Sequence, residues 1–216
     1  MELELLAPPA TLTPSLTQSI KRVTFEEYLD WLTEEAKADL IDGVIHMQSP
    51  PADVHERIFV FLIGILDVFV ARRKLGIVRG SRTTLKFSEG NGTQPDIVFI
   101  SNASRQRVHP YYMDGAPEMV VEILSPSTRK LDRGKKMALY AKHGALEYWQ
   151  IDPENQIAEF FRNHNGAWLP MAVSDDGIFH SEVIPGFWLN TQWLFAEENP
   201  DRFDILMMIL AENGKE

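Results

Sequence analysis

The sequence predicts an α/β protein in which a mixed β-sheet is flanked by α-helices, and three observations carry that expectation. Short β-branched and aromatic runs, IVRG, TTLKF, PDIVFI and MVVEIL, follow one another between Gly, Asn and Pro punctuation. Two longer stretches, from about Asp53 to Lys74 and from Arg129 to His143, have the composition and spacing of helices. Between MVVEIL and LEYWQ the order is strand, helix, strand, which suggests a right-handed crossover within one sheet.

The elements follow in chain order. Residues 1–20 carry acids where a secretory leader would carry bases, so they are expected to form a loosely ordered arm ahead of a single domain over residues 21–216. Thr24 and Glu27 stand at capping-box spacing, and Phe25, Tyr28, Leu29 and Leu32 share one face of a short first helix. Asp42-Gly43 marks a turn that enters a strand. The long helix puts Ile58, Leu62, Ile65, Leu66 and Phe69 on its apolar side and ends in Arg72, Arg73 and Lys74, cations that complement the helix dipole. Asn91-Gly92 reads as a turn between strands. The second helix is stopped by Gly144 and leads into the strand LEYWQID. QIAEFFR and WLPMAV then flank the turn-like NHNG as a C-terminal hairpin, and a last helix carries Phe203, Leu206, Met207 and Leu210 in one stripe. No internal repeat is present.

Composition narrows the function classes. The 216 residues are 44% apolar and 24% charged, enough for one well-filled core. The absence of cysteine excludes a disulfide frame and a Cys-ligated zinc site, and makes a reducing cytoplasm the expected compartment. The longest apolar run, Ile58 to Leu66, is closed by Asp67, far short of the roughly 20 apolar residues of a membrane span. The net charge of -10 is segregated along the chain. Residues 152–216 hold 12 acids and 3 bases, whereas residues 68–146 hold 14 bases and 6 acids. The basic middle could therefore face a polyanion while the acidic end does not.

Within that basic middle lies VVEILSPST, a run that reads as a strand buried on both faces with an ionisable Glu122 at its centre. A buried carboxylate is unfavourable by several kcal/mol unless it is paired. Asp96, after Pro95 at the start of DIVFI, is the natural companion, since neighbouring strands would bring both carboxylates to one side of the sheet. Two such groups repel unless a hard cation binds between them, and Mg²⁺, with its preference for oxygen ligands and phosphate, answers that need. The alternative is a buried ion pair between Glu122 and Lys136 or an arginine, without metal.

The order LIDG, QPDIVFI, VVEILSPST, DRGKKMALY, GALEYW resembles the PD-(D/E)XK nuclease superfamily, and most closely its putative restriction endonuclease family. The resemblance spans roughly residues 25 to 190 and implies a restriction endonuclease-like core with an added C-terminal β-hairpin and helix. The superfamily carries a lysine two residues after the strand acid; here that position is Leu124. The resemblance implies that the lysine has moved to the following helix, at Lys136, which shares a helical face with Asp132 and Tyr140; Lys135 points about 100° away and ranks second. It further implies an acid from the first region, at Asp39, and a backbone carbonyl ligand at Ile123.

The implied activity is metal-dependent hydrolysis of DNA phosphodiesters. Asp96, Glu122 and the Ile123 carbonyl would hold Mg²⁺, with Mn²⁺ as a substitute, and Lys136 would help to activate water. Arg79, Arg82, Arg129 and Arg133 are candidates for the phosphate backbone, and cutting two strands favours a homodimer. Two other readings remain open: a catalytically inactive nucleic-acid or protein-binding module of the same fold, and a hydrolase of a smaller phosphodiester. Ser125 and Ser127 beside Pro126 read as a turn and helix cap, and HERIF is only half of a zincin motif, which makes His55 structural or a rim residue.

Overall fold

The computed structural model describes residues 22–32 and 37–212, so the arm expected over residues 1–20 lies outside the described residues. Thr24 caps α1 (Phe25–Trp31) as its spacing predicts: its hydroxyl accepts from the Glu27 amide, and the Glu27 carboxylate accepts from the Thr24 amide. β1 (Ala38–Ile41) and β2 (Val44–Met47) form a hairpin. Its two turn residues, Asp42 at φ 53° and Gly43 at φ 77°, are both left-handed, as a two-residue hairpin turn of the primed kind requires.

The long helix α2 (Asp53–Arg73) leads through β3 (Gly76–Gly80), β4 (Leu85–Ser88) and β5 (Asn91–Thr93) to β6 (Ile97–Ser101). The turn expected at Asn91-Gly92 falls instead at Glu89-Gly90, and Asn91 and Gly92 are strand residues. Packing decides this: Gly92 pairs with Leu40, and a Cβ there would come within 2.6 Å of the Phe25 ring, so the glycine serves a close approach rather than a turn.

After a 3₁₀ turn (Asn102–Arg107) come β7 (Met113–Asp114) and β8 (Met119–Ile123). The single helix expected from Arg129 to His143 is three segments: α3 (Arg129–Leu131), a π-helical turn (Asp132–Lys136) and α4 (Met137–Lys142). It connects β8 to β9 (Glu147–Asp152), which pair in parallel as the strand-helix-strand order predicts. β10 (Ile157–His164) and β11 (Ala167–Pro170) form the hairpin around NHNG, but β10 pairs with β9 and so extends the main sheet. The chain continues through the pair β12 (Ile178–His180) and β13 (Trp188–Asn190) to α5 (Gln192–Phe195) and α6 (Arg202–Glu212).

The strands make a five-stranded sheet, β2-β1-β5-β4-β7, and a six-stranded sheet, β11-β10-β9-β8-β6-β3. Side-chain alternation sorts the six-stranded sheet into two faces. Phe99, Val121, Ile123, Trp149 and Ile151 belong to the core that includes Ile58, Leu62 and Phe69 of α2 and Ile205 and Ile209 of α6. Val98, Ile100, Val120 and Tyr148 face the other way, packed with Tyr140 of α4 and Leu85 of the five-stranded sheet. The even-numbered residues of β6 and β8 thus face α4, and Glu122 is one of them. Among the described residues, no helix is long and apolar enough to cross a membrane.

Candidate active site

β6 and β8 are antiparallel neighbours in the register Ile97↔Val121 and Val98↔Val120. Carried one residue further, that register sets Asp96 across from Glu122; Glu122 meets Lys136 and Tyr140, while Asp96 meets Lys37 and His55. Asp96 is fixed there by its Oδ2, which accepts from the Ile123 amide at 2.8 Å. Both acids are buried, and both line one cleft.

Lys136 reaches Glu122 from the end of the π turn. Its ammonium is fully buried, 2.8 Å from Glu122 Oε1, 2.9 Å from Asp132 Oδ1 and 3.3 Å from Asp39 Oδ2. The Tyr140 hydroxyl, one helical turn on, donates to Glu122 Oε1 at 2.6 Å. Lys136, Asp132 and Tyr140 do share one helical face, as their spacing predicts. Lys135 does not join them; it pairs with exposed Asp42 on the surface.

One ammonium among three carboxylates leaves the centre short of positive charge. Burial raises the Glu122 carboxyl to about 8, because the pull of Lys136 is opposed by the charges of Asp132, Asp96 and Asp39. Asp132 is likewise raised by burial against the same lysine. Lys136 itself is held well above the usual lysine value, since its carboxylates outweigh the burial that would lower it. Asp96 behaves oppositely: burial would raise it, but Lys37 first and His55 next hold it well below the carboxylate range. Lys37 Nζ lies 2.6 Å from Asp96 Oδ1, and His55 Nε2 lies 3.4 Å from Oδ2.

Asp96, Glu122, Ile123 and Asp132 line a cleft of about 500 Å³ together with Lys37, His55 and Arg82. Asp39 stands behind Lys136, where its oxygens accept from the Gln94 amide at 2.8 Å and the Gln48 side chain at 3.0 Å. Of the expected phosphate-contacting arginines, Arg82 lines the cleft and Arg79 is exposed on β3. Arg129 is paired with Asp152 and Glu154, and Arg133 with Glu159.

The residues absent from the expected set are Lys37, His55, Asp132 and Gln94. Lys37 and His55 lie 59 and 41 positions from Asp96, so no local pattern announces them; only the demand of Asp96 for a partner does. Asp132 was legible from its spacing to Lys136. Gln94 is a buried connector, its amide on Asp39 and its side chain between Thr84 and the Ala38 amide.

The donor set fits a hard divalent cation. Two buried carboxylates and Ile123 border one cleft, the charge there is undercompensated, and Glu122 Oε2 has no partner among the described residues. Among the described residues no group of three or more His, Cys, Asp or Glu side chains is arranged to hold a metal.

The model of the Uma2 family, described as "Putative restriction endonuclease", matches residues 25–192. An uncharacterised protein of Synechocystis is 29% identical over 150 residues, which cover 67% of this chain and 76% of the relative. A crystal structure from Anabaena variabilis, described as a putative nuclease belonging to DUF820, superposes with a TM-score of 0.69 at 21% identity. The match covers 80% of this chain and 97% of that one, and shows a common fold.

Proposed function

This chain belongs to the Uma2 family of putative restriction endonucleases, and on that premise we propose that it hydrolyses DNA phosphodiester bonds with Mg²⁺, for which Mn²⁺ can substitute. The observation that carries the proposal is the convergence of Asp96 and Glu122 on one cleft with Lys136 Nζ 2.8 Å from Glu122. Held by Asp96, Glu122 and the Ile123 carbonyl, the cation would supply Lewis acidity to the phosphate and a lowered pKa to water. Lys136 has the chemistry of a donor rather than a base, because its three carboxylate neighbours keep it protonated. It therefore acts by charge: it opposes the burial that pushes Glu122 up to about 8, so favouring the anionic form a cation needs, and it would polarise the attacking water. Tyr140 holds the Glu122 carboxylate in one orientation, and Asp39 and Asp132 hold Lys136 in its own. Arg82 on the cleft wall, and exposed Arg79 on β3, would offer positive charge to the phosphate backbone. Cleavage of both strands favours a homodimer with two symmetric sites, and a cysteine-free chain suits the cytoplasm.

Calorimetric titration of Mg²⁺ and Mn²⁺ into wild type and Glu122→Gln, with plasmid nicking measured on the same samples, tests the reading. Wild type is expected to bind metal and nick; the variant should lose metal binding and at least roughly 10²-fold in nicking. If wild type binds no metal, Glu122 is an ion-pair partner of Lys136 and the enzyme reading fails. Metal binding without nicking of DNA would leave the site but overturn the substrate.

A further inference from the structure

A second cavity, of about 550 Å³, adjoins the cleft on the side of α1. Arg82 lines both, so the two spaces share a wall. Arg82 is also held at φ 106°, a left-handed backbone conformation that a side chain of this size rarely adopts and that is found where a site demands it. Resting on the nuclease reading above, we propose that this cavity is a nucleobase subsite, which receives one unpaired base of the strand whose phosphate enters the cleft.

The lining has the chemistry of a base pocket rather than a phosphate pocket. Leu29 and Leu32 supply apolar surface for the ring faces, and Tyr111 contributes an aromatic side chain that is 82% exposed. An exposed tyrosine on the edge of a cavity offers a stacking platform that every base can use. Polar groups stand deeper: the Thr84 hydroxyl, which already accepts from Gln94 Nε2 at 3.0 Å, retains its own proton to donate to a base edge. Asp30, also in the lining, would repel a phosphate but accept from an exocyclic amino group. Gln94 lies two residues before Asp96, so the wall of the base cavity and the cleft carboxylate belong to one short segment. A base entering this space cannot remain paired, and the substrate class that follows is a single strand, or a duplex with an extruded nucleotide beside the scissile bond.

The test is binding, read without cleavage. Fluorescence anisotropy of a labelled single-stranded DNA oligonucleotide, the same oligonucleotide with one abasic residue, and a fully paired duplex would be measured in EDTA against wild type, Tyr111→Ala and Tyr111→Phe. Wild type is expected to prefer the single strand. Tyr111→Ala should weaken it roughly tenfold or more, the loss of one base stack, and Tyr111→Phe should retain it. The abasic residue should weaken wild type but leave Tyr111→Ala unchanged. Tyr111 is exposed, so neither variant disturbs the core. If the single strand binds and neither the Ala variant nor the abasic residue matters, or if the duplex binds more tightly, the base subsite is wrong while the nuclease reading stands. If no DNA binds in any form, the base subsite is wrong, and the nuclease reading is judged by the metal titration and nicking above.

Discussion

At the scale of single residues, the state of Asp96 depends on Lys37. The Lys37 ammonium sits 2.6 Å from Asp96 Oδ1, on one of the two acids assigned to the metal, and so a cation entering the cleft competes with it. Lys37→Met should therefore act in two directions. Without metal, Asp96 loses its strongest partner while it remains buried, and thermal stability should fall by about 1–3 kcal/mol. With Mg²⁺ present, the competitor is gone, and the variant should bind the ion more tightly and gain more in melting temperature than wild type. Melting curves with and without Mg²⁺ decide this; an equal gain in both proteins would mean that Lys37 and the ion do not share Asp96. The sequence revealed Asp96 and Glu122 because a carboxylate inside an apolar strand is conspicuous. Lys37 was not visible, since a lysine ahead of a strand is an ordinary surface residue until the fold brings it to an acid 59 positions away.

At the scale of elements, the π turn at Asp132–Lys136 explains how one helix can serve a strand acid and still continue to β9. The wider turn keeps Lys136 on Asp132 at 2.9 Å while it reaches Glu122 and Asp39, and such turns gather at functional sites. Gly134 lies at its centre, and a Cβ there would meet nothing within 4 Å. Gly134→Ala should therefore be stabilising, by roughly 0.5–1 kcal/mol from the smaller entropy of the unfolded chain, with metal binding unchanged. Denaturant unfolding together with calorimetry checks both; a loss of metal binding would mean that the alanine had restored a regular helix and turned Lys136 off its acids. The helix itself was legible from its ends, and the π turn was not, because DRGKK has ordinary helical spacing and the insertion is set by the carboxylates that Lys136 has to meet. The capping box at Thr24, the turn at Asp42-Gly43 and the parallel pairing of β8 with β9 were legible for the opposite reason, being local or close in sequence. Gly92 misled, as its role is to admit the Phe25 ring from a distant helix.

At the scale of the whole molecule, the segregation of charge acquires a geometric meaning. The basic middle of the chain and its acidic end meet where Arg129 pairs with Asp152 at 2.9 Å and Glu154 at 2.7 Å, and Arg133 with Glu159 at 2.6 Å. Two of the four arginines expected to follow a phosphate backbone are thus partly neutralised by strands β9 and β10 and the turn that joins them. Exposed ion pairs of this kind add little stability, so removing the acids should leave the fold intact. Taking away Glu154 and Glu159 should also remove two negative charges from Arg129 and Arg133, while the buried Asp152 still holds Arg129 at 2.9 Å. The double variant Glu154→Gln, Glu159→Gln is therefore expected to bind duplex or single-stranded DNA several-fold more tightly at low salt. Its plot of log affinity against log salt should be steeper by on the order of 1 to 2, the release of one or two more counterions. Anisotropy titrations across a salt series measure both quantities. An unchanged slope would show that Arg129 and Arg133 face away from the nucleic acid, and the arginines left to meet the phosphates would then narrow to Arg82 in the cleft and Arg79 on β3.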